Sequence, residues 1–507
     1  MIPKPPFAGD LSLEQEIAEF ERLKPHLRDL WSALSAREEE PYTSVVIPSL
    51  TLDQSELSKL EAASFYEERL LFLLIRLRNP QAHMVYVTSQ PIHPLILEYY
   101  FQLLVGIPAS HARARLTLLC AYDASPRSLT AKILARPRLI QRMRYGIPDP
   151  LRAFMTVFNS TKLERKLAVL LGIPLNGVDP ALAFLGTKSG SRKVFREAGV
   201  PLPEGFEDLR SEDDIVAALD ALRERRPGIR RAVLKLDDSF SGQGNAIFQY
   251  PKTSWRGAIR EAMADLTFSV QTESDRYRRK FAEMGGVVEE CLDYPESASP
   301  SVQLRIDPQG EVVLLSTHDQ ILGGPSCQVY QGCRFPAAEP YRRPIQEAGR
   351  RVGGVLAGRG VVSRFGIDFF VGRRSGQTEW DIFALEINLR IGGTTHPFLA
   401  LQFLTGGRLD PGTGAFQSPG GLSKFYRSTD NLKSESYIGL CPEDLIDITT
   451  VNRLHYSHGT ETGVLFHMVG ALSQFGRLGL TAIGNSPEQA DALYANALEV
   501  LDRETRR

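Results

Sequence analysis

Short β-rich runs alternate with helical stretches through the first third of the chain. The runs read TSVVIPSL, HMVYVTS, LTLLCAY and FMTVF, and residues with helical spacing of apolar side chains fill the segments between them. Strand–helix–strand alternation builds a parallel sheet with helices on its faces. We therefore predict a Rossmann-like, open-sheet α/β domain over residues 1–180, beginning with an amphipathic helix across 11–38 that Asp10 caps. No GxGxxG follows the first strand, so a dinucleotide is not the expected ligand.

Beyond residue 181 the pattern changes to paired strands, which indicates an α+β arrangement. SVQLRID and EVVLLSTHDQIL predict a hairpin turned at Pro308–Gly310, and GIDFFV with DIFALEINLR predicts a second strand pair. The Gly-, Pro- and Ser-rich stretch 405–423 predicts a loop or linker. Because 507 residues exceed what one core can hold, we predict a second domain over 181–425 and a small C-terminal domain over 426–507.

Bulk composition excludes several classes of function. The net charge is −1, which argues against a mainly electrostatic nucleic-acid or membrane partner. Five cysteines without a CxxC pair indicate reduced thiols. No uncharged apolar run approaches the roughly 20 residues that span a bilayer. The composition predicts a soluble cytoplasmic protein and leaves a homo-oligomer open.

The stretch LEINLRIGGTTHPF places polar side chains at alternate positions of a predicted strand. Glu386, Asn388 and Arg390 would project from one face, and Asp368 lies on the preceding strand. Carboxylate and amide oxygens suit Mg²⁺, so we predict Asp368, Glu386 and Asn388 as metal ligands. Arg390 adds a forked donor for a phosphate or carboxylate oxygen. The alternative is a solvent-facing strand with a local ion pair. Asp368 upstream and the glycine turn downstream favour the metal.

A glycine-rich loop, SFSGQGN, follows a strand that carries Lys235. Glycines let backbone N–H groups approach phosphate oxygens closely, and Ser239, Ser241 and Asn245 add donors. The loop lacks the GxxxxGK[ST] order of a P-loop. We therefore predict a phosphate-binding loop of another kind, with the Lys235 ammonium reaching the phosphates.

Five motifs occur in an order that resembles the ATP-grasp superfamily over about residues 180–400: Lys188, Lys235 with SGQGN, VVEECL, GIDFF and LEINLRIGG. The resemblance implies that two subdomains hold ATP and Mg²⁺ between them and that a carboxylate is activated as an acyl phosphate, which an amine attacks. It implies catalytic roles for Arg390 and Lys235, and Lys193 competes with Lys188 for one nucleotide contact. The implied nucleotide-binding residues are Lys188, Lys235, Ser239, Ser241, Gly242, Gly244, Asn245 and, through their backbone, Glu290 and Leu292.

A narrower resemblance rests on GGTTHPF, GVLFHMVGALSQFGRLGLTAIGNSPEQA and VVIPSLTLD, which are similar to segments of the pheganomycin-type peptide ligases. It implies a pre-ATP-grasp N-terminal domain and a distinct C-terminal domain. We predict that the C-terminal domain shapes the acceptor pocket, and the alternative is that it only completes the fold. The implied reaction joins a small amino-acid-like carboxylate to the amine of an amino acid or peptide, in natural-product or peptide biosynthesis. A small-molecule kinase and a non-catalytic nucleotide-binding protein remain alternatives. Candidate substrate contacts are Arg305, Arg334, Gly392, Gly393, Thr394 and His396.

Overall fold

The computed structural model of the chain describes residues 11–37, 39–239, 244–252, 256–268, 274–323 and 329–505. It begins with helix α1 (Leu13–Ala36), whose first turn is capped because the Gln15 amide donates to the Ser12 side chain. The predicted helix across 11–38 is therefore confirmed, but Ser12 and not Asp10 is its cap. Within the described residues, no helix combines the length and hydrophobicity that crossing a membrane requires.

Five strands of the first domain pair in parallel, which confirms the predicted open-sheet α/β fold. They are β1 (Thr43–Ile47), β2 (His83–Thr88), β3 (Leu116–Cys120), β4 (Ala153–Val157) and β5 (Leu175–Asn176). Their order across the sheet is β3-β2-β1-β4-β5. The α-helices between them are α2 (Gln54–Leu57), α3 (Pro94–Gln102), α4 (Ala109–Ala114), α5 (Leu129–Leu134), α6 (Pro137–Tyr145) and α7 (Lys162–Leu171). Every residue of β1 and β4 is buried, as expected where helices cover both faces of a parallel sheet.

The helical segment predicted between the first two β-rich runs is mostly a 3-10 helix, Ala63–Arg78, and not an α-helix. Runs of this length are uncommon because 3-10 hydrogen bonds have poorer geometry than α-helical ones. Ten of its 16 residues are buried. The buried set includes three charged side chains: Glu67, Glu68 and Arg69. Because the Gly470 amide donates to Glu68 at 3.1 Å, this helix joins the first domain to the C-terminal part of the chain.

The two buried glutamates predict that the stability of the fold falls as the pH rises. Burial raises the pKa of Glu67 and of Glu68 from 4.5 to about 7. Between these values the folded chain keeps protons that the unfolded chain releases, so stability is full below the lower value and is lost as the pH rises through the higher one. Glu68→Gln keeps an acceptor for the Gly470 amide and removes the charge. We expect it to raise the free energy of unfolding above neutral pH by on the order of 2 kcal/mol.

Calorimetric melting of the wild type and Glu68→Gln across the acid-to-alkaline range checks this prediction. The two melting temperatures should coincide in acid, where Glu68 is protonated in both states. They should separate as the pH rises above the unfolded-state pKa, and the gap should reach its full size above the folded-state pKa. Parallel curves over the whole range would show that the Glu68 carboxyl group titrates normally in the folded chain.

The next part of the chain forms an antiparallel sheet of five strands. They are β6 (Gly205–Leu209), β7 (Arg231–Leu236), β8 (Asn245–Gln249), β9 (Thr267–Phe268) and β10 (Gly286–Glu290), in the order β6-β10-β7-β8-β9. Its helices are α8 (Lys188–Glu197), α9 (Glu212–Arg225), α10 (Arg256–Ala262) and α11 (Ser274–Met284). Apolar residues of α9, α10 and α11 pack on one face of this sheet to form a separate core.

The largest sheet of the described residues has nine strands, some of them from the C-terminal part of the chain. The strands of this region are β11 (Glu296–Ala298), β12 (Pro300–Ile306), β13 (Val312–Gly323), β14 (Val329–Phe335), β15 (Ser363–Arg373), β16 (Asp381–Asn388), β17 (Arg408–Leu409), β18 (Phe416–Gln417), β19 (Phe425–Lys433), β20 (Gly463–His467) and β21 (Arg477–Gly484). Nine of these eleven strands form the sheet, in the order β11-β15-β12-β13-β14-β19-β21-β20, with β16 paired to β15. Both predicted hairpins, β12–β13 and β15–β16, are confirmed.

Strands β17 and β18 pair only with each other among the described residues, as a two-stranded ribbon within the predicted loop 405–423. The helices of this region are α12 (Glu339–Gly358), α13 (Thr395–Thr405), α14 (Pro442–Val451), α15 (Leu472–Phe475) and α16 (Pro487–Glu504). Strand β19 pairs with β14 in antiparallel register, so the C-terminal strands extend the sheet that carries β15 and β16.

Candidate active site

Two carboxylates face each other on neighbouring strands at the centre of the site. Asp368 on β15 lies directly opposite Glu386 on β16. Asn388 projects on the same side as Glu386 because Ile387 between them points into the core and is fully buried. The Asn388 amide donates to Asp368 Oδ2 at 3.0 Å, and Gln320 Nε2 donates to Asp368 Oδ1 at 2.6 Å. The predicted ligand set therefore forms one compact polar row, which we call the metal row: Asp368, Glu386 and Asn388.

The electrostatics of the metal row favour a bound cation. Burial and the adjacent Glu386 carboxylate raise the pKa of Asp368 to about 7. Two close carboxylates repel each other, and a divalent cation between them removes that repulsion. Among the described residues, no group of three or more His, Cys, Asp and Glu side chains is arranged to hold a metal. The predicted set offers an amide as its third donor, and two carboxylates with an amide oxygen are ligand types that fit Mg²⁺.

Arg390 lies just beyond the strand on which the sequence placed it. Strand β16 ends at Asn388, and the Arg390 amide donates back to the Asn388 carbonyl at 2.8 Å. The guanidinium nevertheless remains beside the metal row, because its Nη2 donates to Asn388 Oδ1 at 2.8 Å. Burial lowers the pKa of Arg390, although the carboxylates of Glu386 and Asp368 oppose that shift. A fixed positive charge thus lies next to the predicted ligands.

Lys188 reaches the metal row from the first residue of α8. Its Nζ donates to Glu386 Oε1 at 2.6 Å, and only 6% of its side chain is exposed. Thr187 caps the helix by accepting from the Gly190 amide, and a Cβ at Gly190 would collide with the Phe184 carbonyl. The side chain of Lys193, the competing lysine, is 50% exposed and pairs with a surface carboxylate. The geometry therefore favours Lys188 over Lys193 as the lysine of the site.

Lys235 belongs to a buried network of charges on the β7–β10 strand pair. Its Nζ lies 2.5 Å from Glu289 Oε2, and Arg192 Nη1 lies 2.7 Å from Glu289 Oε1. Burial raises the pKa of Glu289, but Lys235 and Arg192 outweigh it, and the resulting pKa lies below the usual value. Glu289 therefore stays ionised and holds the Lys235 ammonium in one position. Asn245 on β8 lies directly opposite Lys235.

The glycine-rich loop between β7 and β8 is described only at its two ends. Ser239 Oγ donates to the Leu236 carbonyl at 3.5 Å, and the Leu236 amide donates to the Gly244 carbonyl at 3.1 Å. A Cβ at Gly244 would overlap the Ser239 side chain, so this end of the loop requires glycine. The predicted contacts Ser241 and Gly242 lie outside the described residues.

Comparisons with known proteins identify the family of this chain. A family profile described as "IQCH-like, ATP-grasp" matches residues 180–264 and 257–412. L-propargylglycine–L-glutamate ligase of Streptantibioticus cattleyicolor is 32% identical over 466 residues, which cover 90% of this chain and 94% of that protein. This chain belongs to the ATP-grasp ligases. It is thus an enzyme that uses ATP and Mg²⁺ to join a carboxylate to an amine, as the sequence predicted.

Other relatives extend the match. A profile described as "PGM1 C-terminal domain" matches residues 444–497. IQ motif-containing protein H of Danio rerio is 23% identical over 426 residues, 74% of this chain and 40% of that protein. Two solved structures share the fold at a TM-score of 0.53. The ADP complex of N5-carboxyaminoimidazole ribonucleotide synthetase is 12% identical and covers 92% of this chain and 98% of its own. The biotin carboxylase domain of Hydrogenobacter thermophilus 2-oxoglutarate carboxylase is 13% identical, covering 90% and 89%.

The predicted adenine hinge of this ATP-grasp ligase follows β10. The Glu290 amide donates to the Glu204 carbonyl at 2.8 Å, and the Glu290 side chain accepts from the Glu204 amide at 2.9 Å. These bonds fix the strand end, and Leu292 lies two residues beyond it. Contact of the Glu290 and Leu292 backbone with adenine stays a prediction.

The glycine turn after the metal row leads directly into α13. The Gly392 amide donates to Thr395 Oγ1, and the Thr395 amide donates to the Gly392 carbonyl, both at 3.1 Å. Gly393 lies against the Tyr330 ring, so close that a Cβ there would be 3.1 Å from it. Thr394 precedes the first residue of the helix, and His396 in the first turn is buried. The four predicted contacts therefore lie in the turn and in the first helical turn that follow the metal row along the chain.

The two candidate arginines for substrate are not brought to the metal row. Arg305 stacks on the Trp31 ring of α1 at 4.8 Å. It pairs across the sheet with Arg364, four residues before Asp368. Arg334 lies on the opposite face of β14 from the buried Cys333 and pairs with Asp491 at 3.1 Å. The alternating pattern of each strand predicted where the polar residues occur, but it did not predict which face of the sheet their side chains occupy.

Sequence reasoning missed a buried ion pair beside the site. Arg69 of the 3-10 helix lies 3.0 Å from Asp430 of β19, and both are nearly inaccessible to solvent. The two residues are 361 positions apart. Asp430 lies where the register of β19 shifts against β21, an irregularity that redirects side chains. The pair therefore joins the first domain to the C-terminal strands next to the ATP-grasp core.

Proposed function

We propose that this ATP-grasp ligase joins the carboxylate of a small amino-acid-like substrate to the amine of an amino acid or a peptide. The relative with similarity over most of the chain is named for two amino acids, L-propargylglycine and L-glutamate. The observation that carries the reaction type is the metal row, with Lys188 on Glu386 and Arg390 on Asn388. A natural-product or peptide pathway is the proposed setting, in the cytoplasm.

Each charged group has a proposed part in the reaction. Lys188 and Lys235 bind the phosphates of ATP together with Ser239, Gly244 and Asn245. Asp368, Glu386 and Asn388 would hold Mg²⁺, which supplies charge neutralisation on the phosphates. The substrate carboxylate attacks the terminal phosphorus in line and forms an acyl phosphate. Arg390 stabilises charge on the transferring group. The amine then displaces phosphate, and no protein nucleophile is required.

The proposed division of labour follows the three regions 1–180, 181–425 and 426–507. The middle region holds the nucleotide and the metal. The C-terminal region takes part in acceptor binding. The support for this role is that two of its residues contact side chains of the other two regions. Asp430 contacts Arg69, and the His467 ring lies 4.2 Å from the His396 ring.

Transfer of oxygen from substrate to phosphate tests the acyl phosphate. A substrate carboxylate labelled with ¹⁸O should deliver one labelled oxygen to the released phosphate, because the bond that breaks joins that oxygen to the acyl carbon. Mass spectrometry of phosphate and product measures the transfer. Label found only in the amide, together with AMP release, would show that the carboxylate is adenylated instead.

A coupled assay separates the ligase from a kinase on the same fold. A ligase releases ADP and phosphate in equal amounts and only when both substrates are present. A kinase releases ADP and leaves the phosphoryl group on its product. Amino acids screened in pairs, with product masses recorded, therefore decide between the two and identify the substrates.

A further inference from the structure

An apolar cavity of about 50 Å³ lies between the 3-10 helix, α13 and strands β20 and β21. Aliphatic and aromatic side chains form most of its wall, among them Phe72, Leu104 and Phe403. A water molecule needs about 10–15 Å³ on the same measure. The cavity therefore has room for roughly three to five heavy atoms, which is the size of a short side chain and smaller than a ring system.

Two buried histidines in the cavity wall have unmatched polar atoms. His396 and His467 are each 5% exposed, and their ring centroids lie 4.2 Å apart. Within the described part of the chain, Nε2 of neither ring has a hydrogen-bond partner. Burial lowers the pKa of His467 to about 4 and that of His396 well below its usual value, so both rings are neutral. A buried polar atom without a partner is unfavourable, and a polar or π-rich atom entering the cavity would relieve it.

Charged groups complementary to an amino acid lie at the edge of this cavity. Arg69 lines it and contacts Asp430 through Nη1. Its Nε donates to the Tyr66 carbonyl at 3.4 Å, whereas Nη2 donates to no described residue. The α-ammonium and α-carboxylate of an amino acid are attached to one carbon, so their partners must be an adjacent anion and cation. Asp430 and Arg69 meet that requirement.

The cavity also adjoins the reacting end of the site. Its wall includes His396, which α13 positions directly after the glycine turn that ends the metal row. The Arg69 guanidinium is close enough for its charge to act on Arg390, which contacts Asn388. From the metal row, the polar groups thus continue through Arg390 and Arg69 to Asp430, and the apolar cavity lies beside Arg69.

We propose that the Arg69–Asp430 pair and the cavity form the binding site of one α-amino-acid substrate with a short, uncharged side chain. The ammonium binds Asp430, the carboxylate binds Arg69, and the side chain of three to five heavy atoms fills the cavity beside His396 and His467. This inference rests on the proposed amino-acid ligase function and adds the substrate class. The apolar wall excludes charged side chains from the cavity, and its size excludes aromatic and other bulky ones.

Ala400→Leu tests the cavity directly because Ala400 lies in its wall on α13. The added carbons occupy the space proposed for the side chain. Since one methylene in a hydrophobic pocket is worth about 10–200-fold in kcat/KM, we expect at least a tenfold loss for substrates with propyl-sized side chains. Glycine or alanine as substrate, and KM for ATP, should change little. Phe403→Ala enlarges the cavity and should shift the preference toward longer side chains.

Gln402→Leu is the matched control, because it adds an apolar side chain to the same helix at a position outside the cavity wall. Its substrate preference should equal that of the wild type. Hydroxylamine trapping during turnover then assigns the role of the short amino acid. If the hydroxamate of the short amino acid forms, the short amino acid is the carboxylate donor. If the hydroxamate of the second substrate forms, the short amino acid is the amine acceptor. In either role, the preference must change with Ala400→Leu.

The outcomes separate this inference from the proposed function. A wild-type enzyme that releases ADP and phosphate with amino acids, but whose preference is identical in Ala400→Leu, would exclude the cavity as the side-chain site and retain the ligase. Equal activity of the wild type on short and bulky side chains would exclude it as well. Failure of every amino-acid pair to stimulate release of ADP and phosphate would instead reject the proposed function.

Discussion

Replacing Glu386 by Gln should lower turnover by about 100-fold or more while the enzyme stays folded. The substitution keeps the shape of the side chain and an acceptor for Lys188, which donates to Glu386 at 2.6 Å. It removes one of the two carboxylates that face each other across β15 and β16. The loss should appear mainly in kcat, because charge neutralisation of the transferring phosphoryl group is strongest in the transition state. Steady-state phosphate release measures the turnover, and a thermal melt shows whether the enzyme stays folded.

Glu379→Gln is the matched control for this experiment. Glu379 is exposed and lies in the turn before β16, on the same hairpin but outside the metal row. Its replacement changes the net charge equally and should leave turnover unaltered. Similar losses in both variants would assign the effect to overall charge, and an active Glu386→Gln would remove Glu386 from the proposed metal ligands.

Lys188→Met should reduce kcat/KM for ATP by about 100-fold, whereas Lys193→Met should leave it unchanged. The two lysines occupy one helix, five positions apart in sequence, and differ in environment. Lys188 is buried against Glu386, and Lys193 is exposed beside Asp208. Only the buried ammonium is held where a phosphate oxygen can meet it. Nucleotide titration by calorimetry and initial rates at varied ATP give the measurement. Equal behaviour of the two variants would contradict the choice of Lys188.

The metal row could be predicted because its information is local. Glu386 and Asn388 are separated by one apolar residue, and a period of two fixes their common face once the segment is a strand. Asp368 followed from a second strand that is close in sequence and joined by a short turn. Gln320, on β13, was not among the predicted site residues, although it contacts Asp368. Strands β15 and β16 are consecutive along the chain, so short-range sequence patterns are enough to predict the metal row.

The partners of the arginines could not be predicted from such short-range patterns. Arg334 and Cys333 are adjacent in sequence and point to opposite faces of β14, so the choice of face depends on register alone. The sequence does not reveal whether Trp31, far away on α1, or a substrate lies opposite Arg305. Arg69 and Asp430 come from segments 361 residues apart. Nothing in either segment marks it as the partner of the other, because the contact is created by the packing of two whole domains.

The late position of β19 in the nine-stranded sheet has a consequence for the chain while it is being made. Strand β14 obtains its second neighbour only when Phe425–Lys433 has emerged, roughly 90 residues after Phe335. Synthesis at about 5–20 residues per second leaves that strand with an open edge for several seconds. Unpaired strand edges invite association between nascent chains. A chain ending before β19 would keep this edge permanently, so premature termination there should give an aggregating product and not a smaller nucleotide-binding protein.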